Sequence, residues 1–499
     1  MNQDEIMANI LLELQQMKEK LSEQDEVIQQ LRKENIQLQE ENKQLREENI
    51  LLKQEIKKLK ERSNKDSTNS SKPPSTDDGF KEKESKKDKN TDKKRGGQKG
   101  STSNNLKKSD NPDKIEVLES STCSKCNHSL LDVEVKSISK KQVFDIPPVK
   151  MKVTEFQQHS KVCPCCAKVN KPDFPDALNS YVQYGDNIKT FIAYLNTYQM
   201  VPYERITELV GDLTSHTMSS GTVYNILQDF HNKLDSFEKK TKEQLLKSAV
   251  INVDETGTNI GGKLHWSHVI STSVLTYYMI HAKRGSEAID DMEILPFFDG
   301  IAVHDHWKAY NKYECTHSFC NAHILRELKG IAENENVIWA NDMHTLLTSM
   351  NDYLYSMKEN DKLSPSKGKI QQYYQRYDDI CKAAEKYYPP PTEIPKTKRK
   401  PKQSKGKNLL DRMVEYKEGT LMFFINLLVP FTNNLAERDL RMLKVKEKIS
   451  GCFASFKGAQ MFNRIRGFIS TMKKNNRSVL EELGNILKGE VYIPVLAGC

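Results

Sequence analysis

The chain runs to 499 residues, which allows roughly two to four domains and at least one sizeable core. Its 37% hydrophobic and 29% charged residues suit a soluble protein with polar, partly extended segments, and no apolar run approaches the ~20 residues of a membrane helix, which excludes a membrane partner. The formal net charge of +8 is uneven: basic clusters at 81–108, 396–407 and 438–448 favour an anionic partner, usually nucleic acid, with a solvated lysine face as the plainer alternative.

Polar and acidic residues interrupt the N-terminus from the start, so no signal peptide is expected and the protein reads as cytoplasmic and nucleoid-associated. Residues 1–62 read as a parallel coiled coil. One seam runs Leu14, Leu21, Ile28, Asn35, Asn42, Asn49, Ile56, and the other Met17, Gln24, Leu31, Leu38, Leu45, Leu52, Leu59. Leucine at d with asparagine at a is the pattern of a two-stranded zipper, because facing asparagines pair across a dimer seam. Self-association through this segment is therefore expected, against a single amphipathic helix on a globular core. Residues 63–113 lose all periodicity and are rich in Ser, Asn, Pro, Gly and Lys. They read as a disordered basic linker, either a flexible spacer or an arm that tracks phosphates through "KKRGGQKG".

Five of the ten cysteines fall in two short clusters within a domain expected over 114–178. "CSKC" supplies Cys123 and Cys126, and "CPCC" supplies Cys163, Cys165 and Cys166. Paired Cys-x-x-Cys knuckles flanking a strand-rich stretch match a zinc ribbon, in which four thiolates complete a tetrahedron at one structural Zn²⁺. Cys123, Cys126, Cys163 and Cys166 are the expected ligands, with Cys165 spare and His128 or His159 able to take one corner. Unmetallated structural or redox thiols are the alternative. Residues 179–246 look helical; "SSGTVYNILQDF" could open the second helix of a helix-turn-helix near Thr222 to Gln228, or belong to an ordinary helical hairpin.

Strand patterns follow: "SAVINVDETGT", ending in Asp254 and Glu255; "KLHWSHVIST"; "VLTYYMIHA"; "DGIAVHDHWKAY", running into Asp305; and "CTHSFCNAH". Strands, then alternating helices, suit a mixed α/β sheet. Aspartates at the ends of core strands are costly unless their charge is compensated, and a divalent metal does that with oxygen ligands. Each aspartate alone also reads as a strand-end or turn residue. Residues 336–415 read as a helical insertion with an exposed basic loop, "PPPTEIPKTKRKPKQSKGK", and Cys320–His323 as either a metal pair or a buried Cys with a helix-start His.

The stretch "PFTNNLAERDLRMLKVKEKISG" places Glu437, Arg441, Lys444 and Lys448 on one helix face, beside an apolar stripe of Ala436, Leu440 and Leu443. With Asn434 as N-cap, Glu437 would be the N3 residue of a capping box and Arg441 its salt-bridge partner. The functional alternative has Glu437 as a metal ligand, with Arg438, Arg441, Lys444 and Lys448 as phosphate contacts.

In order along the chain, the zipper, "NSSKPPS", "RGGQKG", the paired Cys-x-x-Cys, "DIPP", "VDETG", "HDHWKAY", "CNAHILREL" and "PFTNNLAERDLRMLKVKEKISGCF" make the protein similar to DDE transposases of insertion-sequence family sixty-six. The resemblance implies an RNase H-like α/β core, in two parts at 247–335 and 416–475 around the insertion, then a tail at 476–499. It implies an acidic triad, carried here by Asp254, Asp305 and Glu437, binding Mg²⁺ or Mn²⁺. It also implies cleavage of double-stranded DNA at transposon ends, attack of the freed 3′-hydroxyl on target DNA, and accessory proteins of the same element. Two departures stand out: "GGQKGST" replaces the family's Gly-Gly-Gln-Pro-Gly-His, and Cys165 replaces a non-cysteine. A zipper and zinc-ribbon DNA-binding regulator with a degenerate core is the main rival. A coiled-coil scaffold would leave the strand-end aspartates unexplained.

Overall fold

A computed structural model describes residues 30–53, 106–359, 364–389 and 403–494, with isolated positions at 17, 20, 55 and 56. Most of the linker (to residue 105), residues 390–402 of the basic loop and the start of the zipper lie outside the described residues. Residues 30–53 are one continuous helix, α1, with Leu31, Leu38, Leu45 and Leu52 exposed along it. Among the described residues no helix is long and apolar enough to cross a membrane.

The chain divides into two compact units, Met1–Gly79 with Ala249–Val253 and Phe298–Leu435, and Phe80–Ser248 with Asp254–Phe297 and Ala436–Cys499. All five expected strands form, as β3 (Val250–Ile260), β4 (Lys263–Ser271), β5 (Thr276–His281), β6 (Ile301–His304) and β7 (Thr316–Phe319), in one mixed sheet of order β5-β4-β3-β6-β7.

In the first unit the start of β3 pairs parallel with β6, Val250 on Ile301 through Asn252 on Val303, and β6 pairs parallel with β7. Both strands are buried at their ends, through Ala302, Val303 and His304 of β6 and Ser318 and Phe319 of β7. Helices α7 (Asn321–Glu335), α8 (Ile338–Glu359), α9 (Lys367–Glu385), α10 (Lys405–Glu415) and α11 (Lys417–Ile425) pack on this edge. Val303, Phe319, Leu328, Trp339, Tyr377 and Phe424 anchor their common core. In the apolar run "LMFFINLLVP", Leu421, Phe423 and Phe424 of α11 and Val429 beyond it are buried, whereas Ile425 and Leu428 are exposed.

In the second unit β4 and β5 form an antiparallel hairpin, from Trp266 on His281 to Ser271 on Thr276. β3 runs on to Ile260 and turns into β4 through Gly261 and Gly262, both at positive φ (+55° and +81°), the two-residue conformation that glycine adopts without steric cost. Asp254 therefore lies within an 11-residue strand rather than at its end. Helices α2 (Asp186–Ala193), α3 (Tyr203–Thr214), α4 (Ser220–Lys233), α5 (Asp235–Leu246), α13 (Phe456–Lys474) and α14 (Val479–Leu487) share one core. The segment expected to be a tail thus carries a helix: Ser478 caps it by accepting from Glu481 N–H, and Val479, Leu483 and Ile486, on one face, are buried. Helix α12 (Asn434–Ser450) docks through Ala436, Leu440 and Leu443, the expected stripe.

The region at 131–160 contains no strand, although its composition is strand-like. Beside it β1 (Lys161–Val162) and β2 (Val169–Asn170) pair antiparallel, and Thr122 bridges to Ser129. Val133, Val135, Val143, Phe144 and Ile146 are exposed, so this stretch has no apolar face to bury and no ladder to join. So small a segment has too little core to order itself without a metal or other staple.

Candidate active site and metal knuckles

The two Cys-x-x-Cys loops have the same backbone. Cys123 N–H donates to His128 carbonyl and Asn127 N–H to Cys123 carbonyl, each at 2.9 Å; Cys163 N–H donates to Lys168 carbonyl and Ala167 N–H to Cys163 carbonyl, each at 2.9 Å. Asn127 (φ +56°) and Ala167 (φ +54°) both follow the second cysteine in the left-handed region. Superposing the loops by position sets Cys166 on Cys126 and Cys165 on Lys125, which favours Cys166 over Cys165 as the second ligand of its knuckle. In each loop N–H groups of the two residues at the turn, Lys125 and Cys126 or Cys166 and Cys165, hold the first cysteine's thiol below its ordinary pKa. Amides aimed at sulfur favour the thiolate that zinc requires. The donor set fits Zn²⁺, although among the described residues no three of these sulfurs lie within 4.8 Å of one another. Each knuckle is formed; the tetrahedron between them is not closed.

In the helical region, α3 and α4 are joined by residues 215–219, and Ser219 caps α4 by accepting from Thr222 N–H at 3.1 Å. Val223, Ile226, Leu227 and Phe230 of α4 are buried, which leaves Ser220, Gly221, Asn225, Asn232 and Lys233 as its exposed positions. The Thr222–Gln228 segment is therefore first a packing element.

Asp254 is half-buried, and its Oδ1 accepts from Glu255 N–H at 2.9 Å. The next side chain turns to the other face of the strand, as strand alternation requires. There Glu255, its side chain 1% exposed, accepts from Arg284 Nε (2.9 Å) and Nη2 (2.6 Å). Arg284 in turn lies over the Trp266 ring at 4.9 Å. Glu255 is thus committed to an ion pair, which separates it from Asp254 in role. Asp305 follows the last residue of β6, and its Oδ1 accepts from Trp307 N–H at 2.9 Å, the turn-forming bond expected of such an aspartate. Behind it His304 is fully buried, bonded through Nε2 to His317 Nδ1 at 2.8 Å, and burial pushes its pKa down to about 3. Asp254 and Asp305 each stand two residues beyond the last register pair, Asn252 on Val303, of neighbouring parallel strands.

Helix α12 begins at Asn434, and Glu437 lies in its first turn. Among the described residues no ion pair joins Arg441 to Glu437. Lys444 Nζ instead donates to the Gly257 carbonyl and pairs with Glu447 at 2.8 Å, while Glu447 Oε1 accepts from Asn259 N–H at 2.6 Å. These contacts make α12 and β3 run in the same direction. Arg438, Arg441 and Lys448 are exposed, whereas Lys444 is held by the strand.

Sequence reading missed two buried polar groups here. Asp439 accepts from Ser271 Oγ (2.6 Å), Thr276 Oγ1 (3.2 Å) and Lys474 Nζ (2.8 Å), tying α12 to the β4–β5 hairpin and α13. An acid at the third position after Ala436, on the apolar side of the helix, was the available signal. Asn433 is the other, 2% exposed, with its amide bonded to Asn252 and Val253.

A family model described as "Transposase IS66 family" matches residues 181–461, and one described as the zinc-finger binding domain of transposase IS66 matches residues 120–167. A family of unknown function, DUF6444, matches residues 9–107. No curated protein matches. Among solved structures, a chain from the cryoEM structure of a simian T-cell lymphotropic virus intasome in complex with PP2A regulatory subunit B56 gamma aligns over 43% of this chain and 80% of that chain, at 15% identity and a TM-score of 0.13.

Proposed function

Because the chain belongs to the transposase IS66 family, we propose that it cuts DNA at the ends of its element and joins the freed 3′-hydroxyls to target DNA. Asp254, Asp305 and Glu437 hold Mg²⁺ or Mn²⁺ in this reading, on an RNase H-like core. What supports this reading is that Asp254 and Asp305 each follow, by two residues, the last register pair of the parallel strands β3 and β6, and that the helix carrying Glu437 is held on β3 through Lys444 and Glu447. Bound metal supplies activation of a water or 3′-hydroxyl and stabilisation of the leaving oxygen in an in-line displacement.

The chain's own residues do the rest. In this reading the three carboxylates would repel one another around the ion's position unless a cation joined them, so each would raise the affinity of the site for a divalent ion. Arg438, Arg441 and Lys448, exposed on α12, bind DNA phosphates beside the acids; Lys444 fixes the helix on β3 and contributes its charge from there. Zn²⁺ on Cys123, Cys126, Cys163 and Cys166 orders residues 120–167, the zinc-finger domain of this family.

A duplex carrying the element's terminal inverted repeats, incubated with purified protein and Mg²⁺, is expected to be nicked at the element boundary. Asp254→Ala, Asp305→Ala and Glu437→Ala should each abolish nicking while repeat binding in EDTA survives. Normal nicking by Glu437→Ala would remove it from the triad, and binding without nicking by the unaltered protein would leave only a DNA-binding role.

A further inference from the structure

Five residues around the three acids, Asn252, Val253, His304, Cys320 and Asn433, are joined by buried hydrogen bonds. Asn433 Nδ2 donates to the Val253 carbonyl at 2.8 Å, and Asn433 Oδ1 accepts from Asn252 Nδ2 at 2.9 Å. The Asn433 backbone N–H donates to Cys320 Sγ at 3.1 Å, and the Cys320 N–H donates to the His304 carbonyl at 2.8 Å. Asn252, Cys320 and Asn433 are all buried. The residue after Val253 is Asp254, the residue after His304 is Asp305, and the residue after Asn433 opens the helix that carries Glu437.

We propose that Asn433, acting with Asn252 and Cys320, is a positioning clamp that fixes the backbone in front of all three acids. The inference rests on the reading of those acids as a metal site. An asparagine is suited to this place because one side chain both donates and accepts, and burial removes the water that would compete for either bond. Aspartate could not donate to Val253, and leucine could do neither. The same geometry gives Cys320 a role: its sulfur accepts the amide that leads into α12, so the thiol serves as a hydrogen-bond acceptor at the end of β7. A carboxylate that must reach a cation within a few tenths of an ångström depends on such support, and residues behind metal ligands commonly set affinity without touching the ion.

The test is Mn²⁺ binding by calorimetry on the full-length, zinc-loaded protein, which needs no turnover. Asn433→Leu keeps the branching, in a somewhat larger side chain, and removes both side-chain bonds; it is expected to weaken Mn²⁺ binding about tenfold or more. Asn252→Ala removes one of the same bonds from the other side and should weaken binding in the same direction. A folded Asn433→Leu with wild-type Mn²⁺ affinity would overturn the clamp. If that variant does not fold, Asn433→Ser decides on the same criterion. Glu437→Ala separates the clamp from its premise. Weakened binding in Glu437→Ala but not in the Asn433 variant sinks the clamp alone, and unchanged binding in Glu437→Ala sinks the three-acid site with it. In nicking assays, the Asn433 variant should need more Mg²⁺ for half-maximal rate, a change that simple loss of stability does not produce.

Discussion

Lys446 lies on the inner side of α12, 8% exposed, with its ammonium 5.7 Å from the Phe462 ring. Burial in this apolar setting pulls its pKa down from 10.5 to about 8. Below about pH 8 the lysine is charged in both folded and unfolded chains, and the folded state carries the full cost of burying that charge. Between about pH 8 and 10.5 the unfolded chain binds more protons than the folded one, so stability rises with pH across that window. Lys446→Met should therefore stabilise the protein at pH 7 by roughly 2 kcal/mol and abolish the difference in slope above pH 8. Urea unfolding of both proteins from pH 7 to 10 measures this; parallel curves for variant and wild type would refute it. The letters of α12 invite the opposite reading, because Lys446 sits in a run of cations that looks like one solvated face. A four-carbon stem lets a lysine follow the apolar stripe inward, and sequence spacing alone does not reveal that.

Asp439 acts between elements, since its carboxylate gathers bonds from β4, β5 and α13 onto α12. Burial already depresses the pKa of Lys474, and Asp439 is what offsets it. Asp439→Ala would leave that ammonium buried without its counter-charge, a loss on the order of 3 kcal/mol. Asp439→Asn retains acceptor capacity for Ser271 and Thr276 and should cost less. The urea midpoints of the two variants rank them; equal midpoints would mean that the charge on Asp439 contributes nothing. Because Asp439 is two residues from Glu437, both variants should also nick DNA more slowly than their residual folded fraction allows. At this scale the strands of the sheet were legible, since "INV", "HVIS", "YYMI", "IAVH" and "HSF" are apolar runs bounded by turns. The extent of β3 was not: its polar second half, from Asp254 to Asn259, forms a strand because the Gly261–Gly262 turn returns β4 alongside it. The segment at 134–156 failed the other way. Its β-branched residues favour extended backbone, but a strand also needs a neighbour.

Across the whole molecule, the three acids proposed as the site stand in three separate sequence motifs, whereas the buried amides of Asn252 and Asn433 gave no sequence signal, because an asparagine's bonds depend on which backbone it meets after folding. The zipper shows the same limit at the level of assembly. In one chain, Leu31, Leu38, Leu45 and Leu52 stand 49–57% exposed on α1, and Asn42 and Asn49 turn their amides back to the Leu38 and Leu45 carbonyls at 2.9 and 3.1 Å. A leucine row on a lone helix keeps an apolar stripe in water, and the asparagines satisfy themselves locally at the positions where a second helix would offer a partner. We predict a homodimer through this stripe. Leu38→Lys combined with Leu45→Lys should halve the sedimenting mass, because each leucine withdrawn from such a seam forfeits about 1.5–3 kcal/mol of burial and each lysine adds repulsion across it. The substituted positions are remote in sequence from Asp254, Asp305 and Glu437, so binding of a single terminal repeat should persist in the monomer. A double variant that sediments like the wild type would place the interface elsewhere and return the heptads to an unpartnered helix.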